Sequence, residues 1–170
     1  MSIDKIPIPA FLYPNLFGKN LVDAKAELAD DLYGKEPAIN FLGGNEQKII
    51  FLFNDPQNRF LADTRVKFLY DLLAACHLTV VDIAIVNFFH NNAITYRELI
   101  AQLQPRKILI FGIPANDLEL PFTIPFFQIQ NFQERIYMLS PSIEDLQMNT
   151  DLRKQLWACL QKIFNIQKQK

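Results

Sequence analysis

The sequence predicts an α/β fold, a three-layer α/β/α sandwich built on a mainly parallel sheet of about four strands. Three observations predict it. Short apolar runs alternate with helical-period segments of about ten residues or more, the pattern of right-handed βαβ crossovers. A chain of 170 residues, half of them hydrophobic, supplies one buried core and is a single-domain length. Two apolar runs empty into polar elbows: Ile49–Phe53 into Asn54-Asp55-Pro56, and 136–139 into Ser140-Pro141-Ser142. Strand ends of a parallel sheet gather on one edge, where ligands of open α/β domains sit.

Residues 1–20 read as an extended arm, in which Pro7, Pro9 and Pro14 space out Ile6, Ile8, Phe11, Leu12, Tyr13 and Phe17. So many large apolar groups call for burial, on the body of the chain or on a partner. The single α/β domain then runs over 21–166, and 167–170 is a frayed tail. Residues 20–33 carry amphipathic spacing that Gly34 and Pro37 end. A short strand at 38–42 and the turn Gly43-Gly44-Asn45 lead to a strand at 48–53. A long helix over 58–76 follows from the spacing of Phe60, Leu61, Val66, Leu69, Leu72 and Leu73, and a strand from 79–87. Thr95 with Glu98 forms a capping box for a helix that ends before Pro105.

Lys107–Phe111 is a buried strand closed by Gly112; 122–129, interrupted by prolines, suits an edge strand or loop. The last strand is 135–139. Pro141 fits the first position of a helix with Ser140 as its cap, and a final helix begins near Thr150 with Leu152, Leu156, Leu160 and Ile163 on one stripe.

Seventeen basic and eighteen acidic side chains leave a net charge of −1, so no global field draws the chain to nucleic acid. Fifteen Phe concentrate in strand-like segments, as core material. Cys76 and Cys159 are isolated, in the manner of reduced thiols, and offer no metal-ligand spacing. No run approaches the roughly 18 apolar residues of a membrane span, and the chain reads as soluble and cytoplasmic. Neither a GxGxxG nor a P-loop pattern follows Gly43-Gly44, and no GxSxG elbow exists, so no cofactor and no metal are expected.

The groups able to carry chemistry stand at the strand ends. Asp55, leaving a buried strand, has the setting of a tuned acid or base, but its local sequence favours an Asx turn or cap for the segment from Asn58. Asn87 offers a donor and an acceptor that could read the edge of a flipped base, or shape a turn. His90 could serve as an acid or electrophile, or be a surface histidine. His77 lies near exposed helix-end carbonyls. Ser140 and Ser142 suit a phosphate at a helix N-terminus or simple capping.

In order, these segments resemble the uracil-DNA glycosylase superfamily over about residues 48–145. Phe53-Asn54-Asp55-Pro56-Gln57 resembles its Gly-Gln-Asp-Pro-Tyr motif, Val86-Asn87 its base-reading asparagine, and Leu109-Ile110-Phe111-Gly112-Ile113-Pro114-Ala115 the strand before its second motif. Leu139-Ser140-Pro141-Ser142 resembles its His-Pro-Ser or His-Ser-Pro ending, with Leu139 where the family's histidine would fall and Gln57 where its pocket aromatic would. On this resemblance a divergent glycosylase would use Asp55, Asn87 and His90 to remove a damaged base.

A closer resemblance is to the psi-subunit family of the bacterial DNA polymerase III clamp loader, non-enzymatic relatives on the same fold. Ser140-Pro141-Ser142-Ile143-Glu144-Asp145-Leu146, followed by Asn149, Leu152, Arg153, Leu156 and Trp157, resembles that family's Ser-Pro and Leu-Trp helices; Asn54-Asp55-Pro56 resembles its Asn-Asp turn. The resemblance implies a non-catalytic adaptor in DNA replication. Asn54, Asp55, Asn87, Ser140 and Ser142 would then form an inherited ligand or nucleic-acid edge, and the arm at Ile6, Ile8, Phe11, Leu12, Tyr13 and Phe17 would engage other clamp-loader subunits. The single-stranded-DNA-binding machinery is a further implied partner, with weak or no direct DNA contact.

Overall fold

A computed structural model describes residues 38–92 and 94–166. The expected arm at 1–20, the expected helix at 20–33 and the tail at 167–170 lie outside the described residues.

The chain from Ile39 onward is built on one six-stranded mixed sheet with the order β1-β3-β2-β4-β6-β5. The strands are β1 Phe41–Leu42, β2 Ile49–Phe53, β3 Ile83–Asn87, β4 Lys107–Phe111, β5 Ile129–Phe132 and β6 Arg135–Ser140. β3, β2, β4 and β6 pair in parallel, while β1 and β5 add antiparallel edges. The sequence led us to expect about four strands. The difference lies at the edges, where one strand is two residues long and the other falls beyond the proline-interrupted run, at Ile129–Phe132 rather than 122–129. Within that run Phe126 makes one parallel bridge to Leu139.

Among the described residues four helices pack on the sheet: α1 Asp63–Ala75, α2 Tyr96–Leu103, α3 Ile143–Met148 and α4 Thr150–Ile163. Side chains alternate across each strand, so the sheet feeds two cores. Ile49, Phe51, Phe53, Leu109, Phe111 and Met138 pack with α1, α3 and α4. Ile50, Leu52, Val86, Ile110, Tyr137 and Leu139 pack on the other face with Leu99 and Leu103 of α2. The central strands are buried on both faces, which is why they read as continuous apolar runs and not as alternating ones.

Element boundaries depart from the sequence reading where side chains redirect the backbone. α1 begins at Asp63 and not at 58, because the peptides of 54–59 bond to Asp55 and Asn87. β3 begins at Ile83; the preceding residues turn, with the Asp82 carboxylate accepting from the Thr79 amide at 2.7 Å. α1 ends in a Schellman motif: the His77 amide donates to the Ala74 carbonyl, the Leu78 amide to that of Leu73, and His77 takes a positive φ of 57°. His77 thus closes the helix through its backbone. The capping box at Thr95 and Glu98 forms as expected, with both reciprocal bonds present. The expected cap Ser140 is instead the last residue of β6. Ser142 caps α3, its hydroxyl accepting from the Asp145 amide at 3.2 Å.

Candidate functional site at the carboxyl edge of the sheet

β2 leads through α1 to β3 on one side, and β3 leads through α2 to β4 on the other, so the topological switch lies between the carboxyl ends of β2 and β4. This is where an open α/β sheet holds a ligand. Strand register sets Asn87, Phe53, Phe111 and Ser140 side by side in one row along that edge. The row alternates onto the face covered by α1, α3 and α4. Two of the predicted residues, Asn87 and Ser140, therefore stand three strands apart, roughly 14 Å at ordinary strand spacing. Between them Phe53 and Phe111 stack at 4.9 Å, and Phe51 joins at 5.8 Å from Phe111.

Asp55 and Asn87 do come together. The Asn87 side chain is wholly buried, and its amide makes five hydrogen bonds. Its Oδ1 accepts from the backbone N–H of Asp55 and of Phe89, each at 3.1 Å. Its Nδ2 donates to the carbonyls of Asp55 at 2.8 Å, Asn58 at 2.7 Å and Arg59 at 3.3 Å. A terminal amide has two donors and one acceptor oxygen; all are committed to folding the loop after β2 back onto the end of β3.

The Asp55 carboxylate, 1 % exposed, is equally occupied. Oδ1 accepts from the amides of Gln57 at 3.0 Å and Asn58 at 3.1 Å, an Asx turn. Oδ2 accepts from Asn58 Nδ2 at 3.1 Å and from Arg65 Nη1 at 2.7 Å. Burial alone would raise this carboxyl. The Asn58 side chain, the two amides and the Arg65 charge outweigh burial and hold it below its ordinary value of 3.8.

Arg65, in the first turns of α1, is the residue that sequence reasoning missed. Its second terminal nitrogen pairs with Glu144 at the start of α3. One guanidinium thus ties the loop after β2 to the helix after β6, and through it the two polar elbows meet. The crevice left at the switch point holds about 70 Å³ among Phe53, Asn54, Arg65, Phe111 and Glu144, well below the several hundred Å³ of an ordinary ligand pocket.

The remaining predicted residues scatter. Asn54 is exposed at the crevice rim. Ser140 is fully buried; its hydroxyl has no partner among the described residues, and its carbonyl accepts from the Gly112 amide at 3.0 Å. Gly112 has a φ of +67°, and a Cβ there would lie 3.1 Å from Ser142, so glycine permits the close passage of these two elbows. His90 is exposed in a 3₁₀ turn, its ring edge-on to Phe89. Leu139 points to the opposite face of the sheet from the Asn87–Ser140 row. Among the described residues no cluster of His, Cys, Asp or Glu could hold a metal ion, and no helix is long and apolar enough to cross a membrane. The arm residues Ile6, Ile8, Phe11, Leu12, Tyr13 and Phe17 lie outside the described residues.

Compared with models of protein families and with curated proteins, the chain gives no match.

Proposed function

We propose that this protein is a non-catalytic adaptor of the replication machinery, resembling the psi subunit of the DNA polymerase III clamp loader and built on a uracil-DNA glycosylase-like frame. The observation that carries the reading is the closure of the carboxyl edge by Asp55, Arg65 and Glu144 over the Phe53–Phe111 stack. A base that activates water works best with a pKa near the working pH and a free lone pair; Asp55 has a depressed pKa and both oxygens occupied. An amide that reads a flipped base needs unspent donors and acceptors. Asn87 has spent its own on the backbone.

Further support comes from the C-terminal pair of helices, in the order the resemblance requires. Ser142 caps α3, and Asn149 caps α4 by accepting from the amides of Asp151 and Leu152. The proposed partners are other clamp-loader subunits, engaged through the arm at 1–20, and the proposed setting is the cytoplasm.

Clamp-loader subunits mixed with the full chain and with a chain lacking residues 1–20 provide the test. The full chain is expected to retain them at micromolar concentration and the shortened chain to lose them. Failure of the full chain to retain any subunit overturns the reading.

A further inference from the structure

A second cleft opens beyond the closed crevice, beside the carboxyl ends of β4 and β6, and holds about 560 Å³. Its floor is apolar and buried, formed by Ile113, Ile124 and Leu139. Pro114 and Pro125 stiffen its walls, and Phe126 stands at the mouth 56 % exposed. Small-molecule sites fix their ligands with polar groups placed among the apolar ones. Here the buried lining is apolar and the polar side chains sit at the exposed rim, the arrangement of a protein interface with its dry centre and wet border.

The rim also states the charge of the occupant. Asp145 is the one ionisable side chain among the described residues that line the cleft. It is exposed and enters none of the ion pairs among the described residues; its Oδ2 accepts from the Ser142 hydroxyl at 2.8 Å. Asp117, exposed on the adjoining 3₁₀ turn, adds a second negative charge beside the wall. An unpaired anion at the edge of an apolar trough favours a cation beside an apolar anchor.

We propose that this cleft docks a basic peptide segment of a partner protein. A large aromatic or branched aliphatic side chain enters against Phe126 and the prolines, and a neighbouring Lys or Arg faces Asp145. The proposal rests on residues 112–145 and does not depend on the partner being a clamp-loader subunit.

A displayed library of random dodecapeptides, selected on the full chain and counter-selected on Phe126→Asp, tests the proposal. Selected peptides are expected to pair an aromatic or branched residue with Lys or Arg. In fluorescence anisotropy with a selected peptide, Phe126→Ala should weaken binding roughly thirtyfold, as an interface anchor does. Asp145→Asn should weaken it about threefold and reduce its salt dependence, while Asp145→Glu keeps the affinity and the salt dependence of the natural chain. Both residues are exposed, and unchanged melting curves certify the fold of each variant. No enrichment, enrichment without a cation, or equal binding to the variants overturns the proposal. So does cross-linking that puts residues 1–20 of the same chain in the cleft. The peptide-binding outcomes do not bear on whether clamp-loader subunits bind the arm.

Discussion

The Arg65 guanidinium stands 2.7 Å from the Asp55 carboxylate, on a residue 1 % exposed, and its other arm reaches Glu144. Arg65 is therefore the counter-ion of a buried charge. Replacing it with Met leaves Asp55 buried and short of its cation, at an expected cost of about 3 kcal/mol in urea unfolding. The double variant Asp55→Asn with Arg65→Met should lose less than the sum of the two single losses, because each removes the same pair. Additive losses would deny the coupling.

Asn87→Ala removes five hydrogen bonds at a site with no water access and is expected to cost about 3 kcal/mol. Asn87→Asp is the sharper test. It puts a carboxylate oxygen where Nδ2 meets three carbonyls, so it should destabilise at least as much near neutral pH and partly recover as the new acid protonates. Denaturation midpoints at several pH values report both. An Asp variant as stable as the natural protein would mean that the amide orientation is reversed.

The depressed Asp55 pKa fixes the sign of the acid response. A carboxyl whose pKa is lower folded than unfolded stabilises fully above its unfolded value, about 4, and that contribution is lost as pH falls through the folded value. Stability should accordingly be flat from about pH 5 to 7 and fall below about pH 4. Asp82, lowered by the Thr79 amide first and then by the Gln47 and Thr79 side chains, adds in the same direction. Asp55→Asn should shallow the fall without removing it. An unchanged slope would reject the assignment to Asp55.

Cys76 is buried and its thiol is pushed up to about 11 by burial; burial also raises Cys159, whose thiol lies 2.8 Å from the Phe127 carbonyl. Thiolates are the reactive species. Neither cysteine should react with Ellman's reagent at pH 8 in the folded protein, and both should react at once in denaturant. Rapid reaction of a folded thiol would show that this side of the sheet opens readily.

A single-stranded oligonucleotide carrying uracil should keep its base with this protein, and also with Leu139→His. Leu139 belongs to the core on the α2 face, so a histidine there restores no alignment with Asp55 and costs stability by burying a polar ring. Base release by the natural chain that Asp55→Asn abolishes would replace the adaptor reading with a glycosylase.

The parallel strands, the Thr95–Glu98 capping box and the start of α4 near Thr150 were legible because each depends on residues a few positions apart. Hydrophobic runs announce burial, and a cap announces itself within one turn. Ser140 illustrates where this fails. Ser-Pro-Ser offers two serines able to cap a helix, and β6 keeps the first because its carbonyl accepts from Gly112, the residue that follows the neighbouring strand. The cap then passes to Ser142. The late start of α1 has the same origin, since Asn87, 32 residues from Asp55, claims the loop peptides that would have begun the helix.

By itself the sequence determined that an α/β sheet would form and that Asp55, Asn87 and the Ser140 elbow would stand on its carboxyl edge. Burial, periodicity and strand ends are properties of neighbouring residues. Tertiary structure alone decided what those groups could still do. Hydrogen-bonding capacity is finite, and whether Asp55 and Asn87 have any left depends on Arg65, Glu144 and backbone peptides from other parts of the chain. Packing likewise put Phe53 and Phe111 between the elbows, and left beside Phe126 and Asp145 an opening larger than the crevice at Arg65.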